Sequence, residues 1–199
     1  GIKGSSTVTF FYEDCKVPVE NVLGKVGEGG PIAFNVLYVG RYKLGVSTAG
    51  GAKYVIDAAF DYAAERQQFN RPISEFGMVQ KKLANMVTRV WEGDSVNYMT
   101  TGSIDHTLSS VDKASADYFE TVQKVIEDHG IEASVCKVVG SEALAEVVDE
   151  AVQIYGGNGF IEEYPMAGIY RDERINRIFE GTNEINRLII GGTLMKKAI

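Results

Sequence analysis

The feature that most constrains the fold is a three- and four-residue spacing of apolar side chains that recurs through most of the chain. It begins after the glycine-rich turn at residues 27–30 and runs toward Arg66, then resumes at about residues 78–98 and again at about residues 110–155. Such spacing places apolar residues on one face of an α-helix. The pattern therefore predicts three long helices whose apolar faces must be buried against one another.

Shorter elements complete this helical pattern. A weak point is expected in the third helix at residues 128–130, and the glycines of residues 156–159 are expected to end it. A short helix is predicted at residues 164–172, and a last one after Thr182. Long antiparallel helices joined by short connections form helical bundles, so we expect an all-α fold.

The N-terminal stretch differs from the rest of the chain. Residues 7–12, TVTFFY, are β-branched and aromatic and predict a β-strand. A single strand needs a neighbour to bond its edge. We therefore expect the chain to be a fragment, with a remnant of a preceding domain at residues 1–25 and a helical domain at residues 26–199.

Charge and composition argue against several kinds of partner and site. With 199 residues and a net charge of −7, the chain lacks the basic balance that nucleic-acid binding needs. No apolar run is long enough to span a bilayer. Cys15 and Cys136 lie far apart, and the two histidines have no partner at metal-ligand spacing, so neither a disulfide framework nor a metal site is expected.

Two segments have the composition of a dinucleotide site. From Arg66 to Phe69 a guanidinium stands near an aromatic ring, a pair that suits a pyrophosphate and an adenine. From Gln153 to Gly157 the chain adds a side-chain amide and glycines that let a ligand approach the backbone. Each segment is also typical of a helix C-terminus. The local sequence leaves both interpretations open.

Glu180 stands alone between an aromatic residue and a glycine, just before the last predicted helix. An isolated loop carboxylate is most often an ordinary solvated side chain. Here Thr182 or Asn183 can cap the helix that follows, so free backbone N–H groups and the positive end of the helix dipole lie close by. A catalytic base and a solvated loop acid are both open interpretations.

Four segments together resemble the acyl-CoA dehydrogenase family over nearly the whole chain. They read GRYKLG, RQQFNRPISEFGMVQKKLANM, QIYGGNGFIEEYP and RDERINRIFEGTNEINR, and they are most similar to the long- and very-long-chain type. The resemblance implies the family's C-terminal four-helix bundle, preceded by a remnant strand of its central β-barrel domain. It also implies FAD as cofactor and an oxidoreductase activity that converts an acyl-CoA to a trans-2-enoyl-CoA.

The resemblance also implies roles for individual residues. Glu180 corresponds to the base that removes the α proton, and its N–H to a donor for the thioester carbonyl. Gly40 stands where some relatives keep the base instead, which leaves Glu180 as the single base and implies room for a long acyl chain. Residues implied to contact the acyl-CoA are Tyr38, Arg41 and Gly181. Residues implied to bind FAD are Arg66, Gln68, Phe69, Gln153, Ile154, Tyr155, Gly156, Gly157, Thr182, Asn183 and Glu184.

Partners and setting follow from the same resemblance. The segments at Arg66 to Phe69 and at Gln153 to Gly157 match a site that receives FAD from a neighbouring subunit, so a homodimer or homotetramer is implied. Electrons would pass to electron-transfer flavoprotein during fatty acid β-oxidation, in a bacterial cytoplasm or a mitochondrial matrix. The alternatives are an acyl-CoA oxidase, and a helical bundle without FAD or activity that acts as a structural or interaction module. The fragment alone is expected to be inactive.

Overall fold

The computed structural model describes residues 1–198. Within that range the α-helices are α1 (Gly29–Glu65), α2 (Gly77–Ser109), α3 (Tyr118–Asp128), α4 (Gly130–Tyr155), α5 (Gly157–Phe160), α6 (Pro165–Glu173) and α7 (Asn183–Ala198). Single turns of 3-10 helix lie at Val19–Asn21, Ile73–Glu75 and Arg174–Arg177. The predicted all-α bundle is confirmed.

The long helices follow the predicted apolar spacing and differ from the prediction mainly at their ends. α2 continues past residue 98 to Ser109. The prediction ended too early because the last turns of this helix are polar and show no apolar period. The predicted third helix is two helices, α3 and α4, since residues 110–117 form turns. The weak point at residues 128–130 is where α4 begins, and His129 separates the two helices.

The strand predicted at residues 7–12 is not formed. These residues have no regular secondary structure and are exposed. Within residues 1–198 the only ladder is a two-residue antiparallel pair between β1 (Gln67–Gln68) and β2 (Arg71–Pro72). A strand forms only when its N–H and C=O groups bond a neighbouring strand. Within the described residues no segment pairs with residues 7–12.

The main core lies between α1, α2 and α4, and α6 closes one end of it. Small residues dominate the buried face of α1, which lets the neighbouring helices approach closely. The buried apolar residues at its centre include Ala52, Val55, Ala59, Met86, Val147, Val148, Ala151 and Met166. The buried faces of α1, α2, α4 and α6 therefore form one core. The apolar residues at the start of α1 and on α7 lie outside it, although their spacing predicts that they face inward: Phe34, Val36, Ile185, Leu188 and Met195 are exposed.

α1 and α4 cross at a pair of glycines. A Cβ on Gly45 would lie 2.6 Å from the carbonyl oxygen of Cys136, and one on Gly140 would lie 2.9 Å from the carbonyl oxygen of Gly45. Either contact would push backbone against backbone. Asn97 of α2 also bonds the Gly45 carbonyl, with its Nδ2 at 3.1 Å. The crossing brings the first half of α1 beside α4 and the loop before α7.

Candidate active site

The candidate active site is centred on the loop that leads into α7. Glu180 has a φ of 58°, in the left-handed region that favours glycine, and Gly181 follows with a φ of 82°. A non-glycine residue in this region carries about 1–2 kcal/mol of strain, and such residues cluster at functional sites. Within the described residues no acceptor bonds the main-chain N–H of Glu180. That N–H is therefore free to meet a ligand.

The carbonyl groups of this loop are held by two buried side chains. Arg41, only 4% exposed, donates from Nε to the carbonyl oxygen of Glu180 at 3.0 Å. Asn186, 0% exposed, places Nδ2 2.8–3.4 Å from the carbonyl oxygens of residues 180–182. Burial lowers the pKa of the Arg41 guanidinium, and the Glu180 charge opposes that shift. The position of the loop is thus fixed from inside the bundle.

The carboxylate of Glu180 lies against Gly40 of α1. A methyl group on Gly40 would lie 2.5 Å from Oε2 and 2.9 Å from Oε1. Oε2 is buried and has no hydrogen-bond partner within residues 1–198. Leaving a buried carboxylate oxygen unpaired is costly and is unusual for a surface acid. The volume that Gly40 leaves free is filled by this carboxylate, so the room for a long acyl chain that was expected there is occupied in this structure. Glu180 as a whole is half-buried, with one oxygen enclosed.

The residues predicted to contact the substrate form one chain of contacts at this site. The guanidinium carbon of Arg41 lies 5.4 Å from the centroid of the Tyr38 ring. A Cβ on Gly181 would lie 3.5 Å from Nη2 of Arg41. The Tyr38 ring in turn packs on Gly130, where a Cβ would lie 2.8 Å from it. Arg41 therefore faces the loop and Tyr38 rather than solvent, so its first role in this structure is to support the loop.

The residues predicted to bind FAD at the start of α7 divide into exposed and buried ones. Thr182 Oγ1 accepts a bond from the main-chain N–H three residues later, at 3.3 Å, and so caps α7. Glu184 is exposed, and its own backbone N–H together with the Thr182 hydroxyl lowers the pKa of its carboxyl. Asn183 is 3% exposed and faces inward, where its Nδ2 donates to Ser141 Oγ at 3.1 Å and to Glu142 Oε1 at 3.0 Å.

A buried lysine that the sequence analysis did not single out lies beside the same loop. Lys137 is 0% exposed, and its Nζ donates to Oδ1 of Asn183 at 2.5 Å. Burial, with a smaller contribution from Arg41, lowers the pKa of Lys137 to about 8. Its signal in the sequence is a lone lysine inside the apolar run SVCKVVG. That signal does not distinguish a buried lysine from one on the exposed face of a helix.

The two segments predicted to bind a dinucleotide are brought together at the far ends of α1 and α4. Tyr62 stacks on Tyr155 with ring centroids 4.0 Å apart, and Tyr164 packs edge-on against both rings. This aromatic cluster fixes the two helix ends side by side. Beside it lies a cavity of about 330 Å³ lined by Tyr62, Arg66, Gln68, Ile73, Ile154, Tyr155, Gly156, Gly157 and Asn158.

Individual residues of these segments differ in what they present to the cavity. Arg66 directly follows the last residue of α1 as its C-cap, and its side chain is exposed. Ile154 and Tyr155 belong to the core, at 6% and 8% exposure, so only their edges reach the cavity. Gln153 is exposed and does not line it. Gly156, with a φ of 59°, ends α4, so the helix-end interpretation also holds here.

Phe69 lies at the tip of the β1–β2 hairpin, next to this cavity in the chain. Phe69 and Asn70 have φ values of 54° and 61°, as a type I′ turn requires at both central positions. Such positions are usually occupied by asparagine or glycine, so a phenylalanine there is strained. Its ring is 86% exposed. A strained, exposed aromatic ring is a candidate contact for a ligand outside the chain.

The part of the chain that the structure describes was expected to hold neither a metal site nor a membrane span. No cluster of three His, Cys, Asp or Glu side chains there is arranged to hold a metal ion. No helix among residues 1–198 is both long and apolar enough to cross a membrane. Cys15 is exposed and Cys136 is buried, and both are free thiols. The two candidate functional sites in the described residues are therefore the Glu180 loop and the cavity beside Arg66.

Comparison with known sequences identifies relatives along nearly the whole chain. The family model described as "Acyl-CoA dehydrogenase, C-terminal domain" matches residues 27–195. A "Probable acyl-CoA dehydrogenase" of Bacillus subtilis is 48% identical over 199 residues, which cover 100% of this chain and 34% of that protein. The human mitochondrial very long-chain specific acyl-CoA dehydrogenase is 40% identical over 190 residues, which cover 96% of this chain and 26% of that protein.

Solved structures show the same relationship. The crystal structure of an acyl-CoA dehydrogenase complexed with FAD from Bacillus anthracis matches with a TM-score of 0.90 and 49% identity, over 94% of this chain and 32% of that one. Butyryl-CoA dehydrogenase from Megasphaera elsdenii matches with a TM-score of 0.77 and 33% identity. The chain spans about a third of the length of the Bacillus subtilis relative and about a quarter of that of the human one. It belongs to the acyl-CoA dehydrogenase family, in the part of the sequence that forms the C-terminal domain.

Proposed function

We propose that this chain is the C-terminal part of an FAD-dependent acyl-CoA dehydrogenase. Residues 1–25 would belong to the end of a β-barrel domain, and residues 26–199 to the helical domain. The observation that carries the proposal is the coincidence of three features at Glu180: a strained backbone, a buried Oε2 without a partner, and an N–H without an acceptor within residues 1–198. Strain and unpaired polar atoms at one residue are typical of active sites.

Glu180 is the proposed base that removes the α proton of the acyl thioester. Its Oε2 has no competing hydrogen bond to give up, because no donor reaches it within the described residues. Arg41 and Asn186 bond the carbonyl groups at and after Glu180, which fixes the main chain that carries the carboxylate. As the proton leaves, negative charge develops on the thioester oxygen. The free N–H of Glu180 can donate to that oxygen, and one such fixed donor contributes about 3 kcal/mol.

The residues present fit a dinucleotide cofactor. The cavity of about 330 Å³ offers Arg66 to a pyrophosphate and the backbone at Gly156 and Gly157 to close approach. Phe69, which follows the lining residue Gln68 in the chain, offers an exposed ring to an adenine. At the start of α7, Thr182 and Glu184 are accessible as well. When bound, FAD supplies the acceptor for the hydride that leaves the β carbon.

Geometry favours a site shared between subunits. Gly40, which touches the Glu180 carboxylate, lies 26 residues before Arg66 along α1. At 1.5 Å per residue this is about 39 Å, too far for one dinucleotide to contact both. The Arg66 cavity and the Glu180 loop of one chain would therefore serve different cofactors, as in a homodimer or homotetramer.

We propose a long-chain acyl-CoA as substrate. The support is comparative: the human very long-chain specific enzyme is 40% identical to this chain, whereas the human short-chain specific enzyme is 33% identical. Electrons would leave through electron-transfer flavoprotein, within fatty acid β-oxidation. Bacterial and mitochondrial relatives both match, so a bacterial cytoplasm and a mitochondrial matrix are the two proposed locations.

The test is an anaerobic titration of the flavoprotein that contains this chain with acyl-CoAs of increasing length. Wild-type flavin absorbance should bleach, and most readily with long chains. Glu180→Gln should still bind FAD and acyl-CoA but reduce the flavin about 10²- to 10⁴-fold more slowly. Glu163→Gln, at an exposed acid on another loop, is the matched control and should behave as wild type.

Three outcomes would contradict parts of this proposal. Normal bleaching by Glu180→Gln would remove Glu180 from the role of base. Equal turnover of butyryl- and palmitoyl-CoA would contradict the substrate class. A full-length protein that purifies without flavin absorbance and binds no added FAD would instead favour a structural or interaction module.

A further inference from the structure

Lys137 is a fully buried cation that the proposed mechanism does not use. It has the largest side chain among the residues that are less than 2% exposed. Within residues 1–198 no carboxylate lies close enough to form an ion pair with it. Burying a charge without an opposite charge costs free energy. A buried lysine of this kind therefore calls for an explanation other than stability.

The ammonium group of Lys137 contacts the start of α7. Its Nζ donates to Oδ1 of Asn183 at 2.5 Å, and Asn183 also bonds Ser141 and Glu142. Asn183 is three residues after Glu180, so fixing it fixes the C-terminal end of the loop. Lys137 thus anchors the loop to α4, while Arg41 anchors it to α1.

We propose that Lys137 is a positioning residue for the catalytic base: its ammonium holds Asn183, and through it the loop, so that the Glu180 carboxylate stays where it can remove the α proton. This inference rests on the proposed function, which makes Glu180 the base. Lys137 does not touch the substrate. The protein retains its buried charge, at a cost in stability, because the geometry of the loop depends on it.

The charges that face Lys137 come from four parts of the fold. Arg41 projects from α1, Glu142 from α4 itself, Glu180 from the loop and Glu184 from α7. Burial and the Arg41 charge outweigh the three carboxylates and lower the pKa of Lys137 to about 8. The ammonium therefore loses its proton at a pH where an exposed lysine keeps it, and its charge-assisted hydrogen bond to Asn183 Oδ1 becomes a weaker neutral one.

The test is Lys137→Met in the flavoprotein that contains this chain. Methionine fills a similar volume without the charge, and Ser141 Oγ still lies 3.3 Å from Asn183 Oδ1, so that oxygen keeps a partner. We expect the limiting rate of flavin reduction to fall about 10- to 100-fold with little change in KM. The thermal midpoint at pH 7 should stay the same or rise, because replacing a buried charge by an apolar group is often stabilising.

The pH profile separates positioning from a structural role. The wild-type rate should fall as the pH rises through about 8, whereas the rate of Lys137→Met should stay low and flat over that range. Lys82→Met makes the same change at a surface lysine paired with Glu150 and should leave the rate and its pH profile unchanged.

Each alternative outcome overturns a distinct statement. A wild-type rate in Lys137→Met, or a loss of rate that only follows a loss of stability, contradicts the positioning role. Glu180→Gln reports separately on the proposed function: if that variant still reduces the flavin, the assigned base is wrong and the positioning role falls with it. If Glu180→Gln is inactive while Lys137→Met is as fast as wild type, only the role of Lys137 is wrong.

Discussion

The Glu180 loop and the Phe69 hairpin both force a non-glycine residue into the left-handed region, yet they are supported in opposite ways. Arg41 and Asn186, both buried, hold the Glu180 loop from inside the bundle. Phe69 is 86% exposed and rests on a ladder of two residue pairs. Strain that is fixed from within suits a group that must keep one position during proton transfer. Strain on an open tip suits a contact that forms with something outside the chain.

The largest expected effect on stability is a pH dependence of the unfolding free energy that comes from the buried charge of Lys137. The pKa of Lys137 is about 8 in the folded chain, below its ordinary value of 10.5. Below pH 8 the folded and unfolded chains both carry the charge, so the full cost of burying it is present. As the pH rises from 8 to 10.5 the folded chain loses the proton first, and stability should rise. The unfolding free energy of the wild type, relative to Lys137→Met, should increase by about 3 kcal/mol over this range.

Chemical denaturation of both proteins at several pH values between 7 and 10.5 measures this change. The comparison with Lys137→Met cancels the titration of all other groups that the two proteins share. A difference in unfolding free energy that does not vary with pH would show that the Lys137 charge carries no burial cost.

Gly40→Ala tests whether the Glu180 carboxylate depends on its place against α1. The added methyl group would lie 2.5 Å from Oε2, and the flexible end of Glu180 would have to move. A displacement of this size should slow flavin reduction about 100-fold and leave the fold intact. Gly50→Ala is the matched control, since a Cβ there meets no atom within 4 Å. Equal rates for the two variants would show that the carboxylate is not held at Gly40.

Asn186→Asp tests the second buried support of the loop. The variant keeps the side-chain shape but replaces the Nδ2 donor that faces the carbonyl oxygens of residues 180–182. Loss of that donor should lower the unfolding free energy by about 2 kcal/mol, measured by denaturant titration. Asn85→Asp, at an exposed position of α2, should change stability little. An equally stable Asn186→Asp would mean that the loop holds its shape without this support.

Phe69→Ala tests the exposed hairpin and should have the smallest effect of these variants. Because the ring is exposed, its removal should leave the unfolding free energy nearly unchanged. The affinity of the apoprotein for FAD should fall about tenfold, since an aromatic ring stacked on a base contributes about 1–3 kcal/mol. Met78→Ala, at another exposed apolar side chain, is the control. Unchanged FAD affinity would leave the strain at the hairpin tip without a functional reason.

Much of the fold could be predicted because helix periods and helix ends are local properties. The apolar spacing predicted α1, and it predicted α3 and α4 as a single helix with a weak point at residues 128–130. The polar end of α2 could not be predicted in this way, since it has no apolar period. The prediction of a strand at residues 7–12 was wrong within the described chain for a different reason. Strand pairing depends on a neighbouring strand, which the local sequence cannot show.

The sequence by itself determined the order of the helices, the net charge and the position of one carboxylate just before a capped helix. Only the tertiary structure decided that the Glu180 carboxylate meets Gly40, that Arg41 faces the loop, and that Lys137 is buried against Asn183. These contacts join residues far apart in the chain. The first two exist because α1 and α4 cross where glycines let the two backbones approach, and the third because the start of α7 packs on α4. No local pattern records which helices cross or how closely.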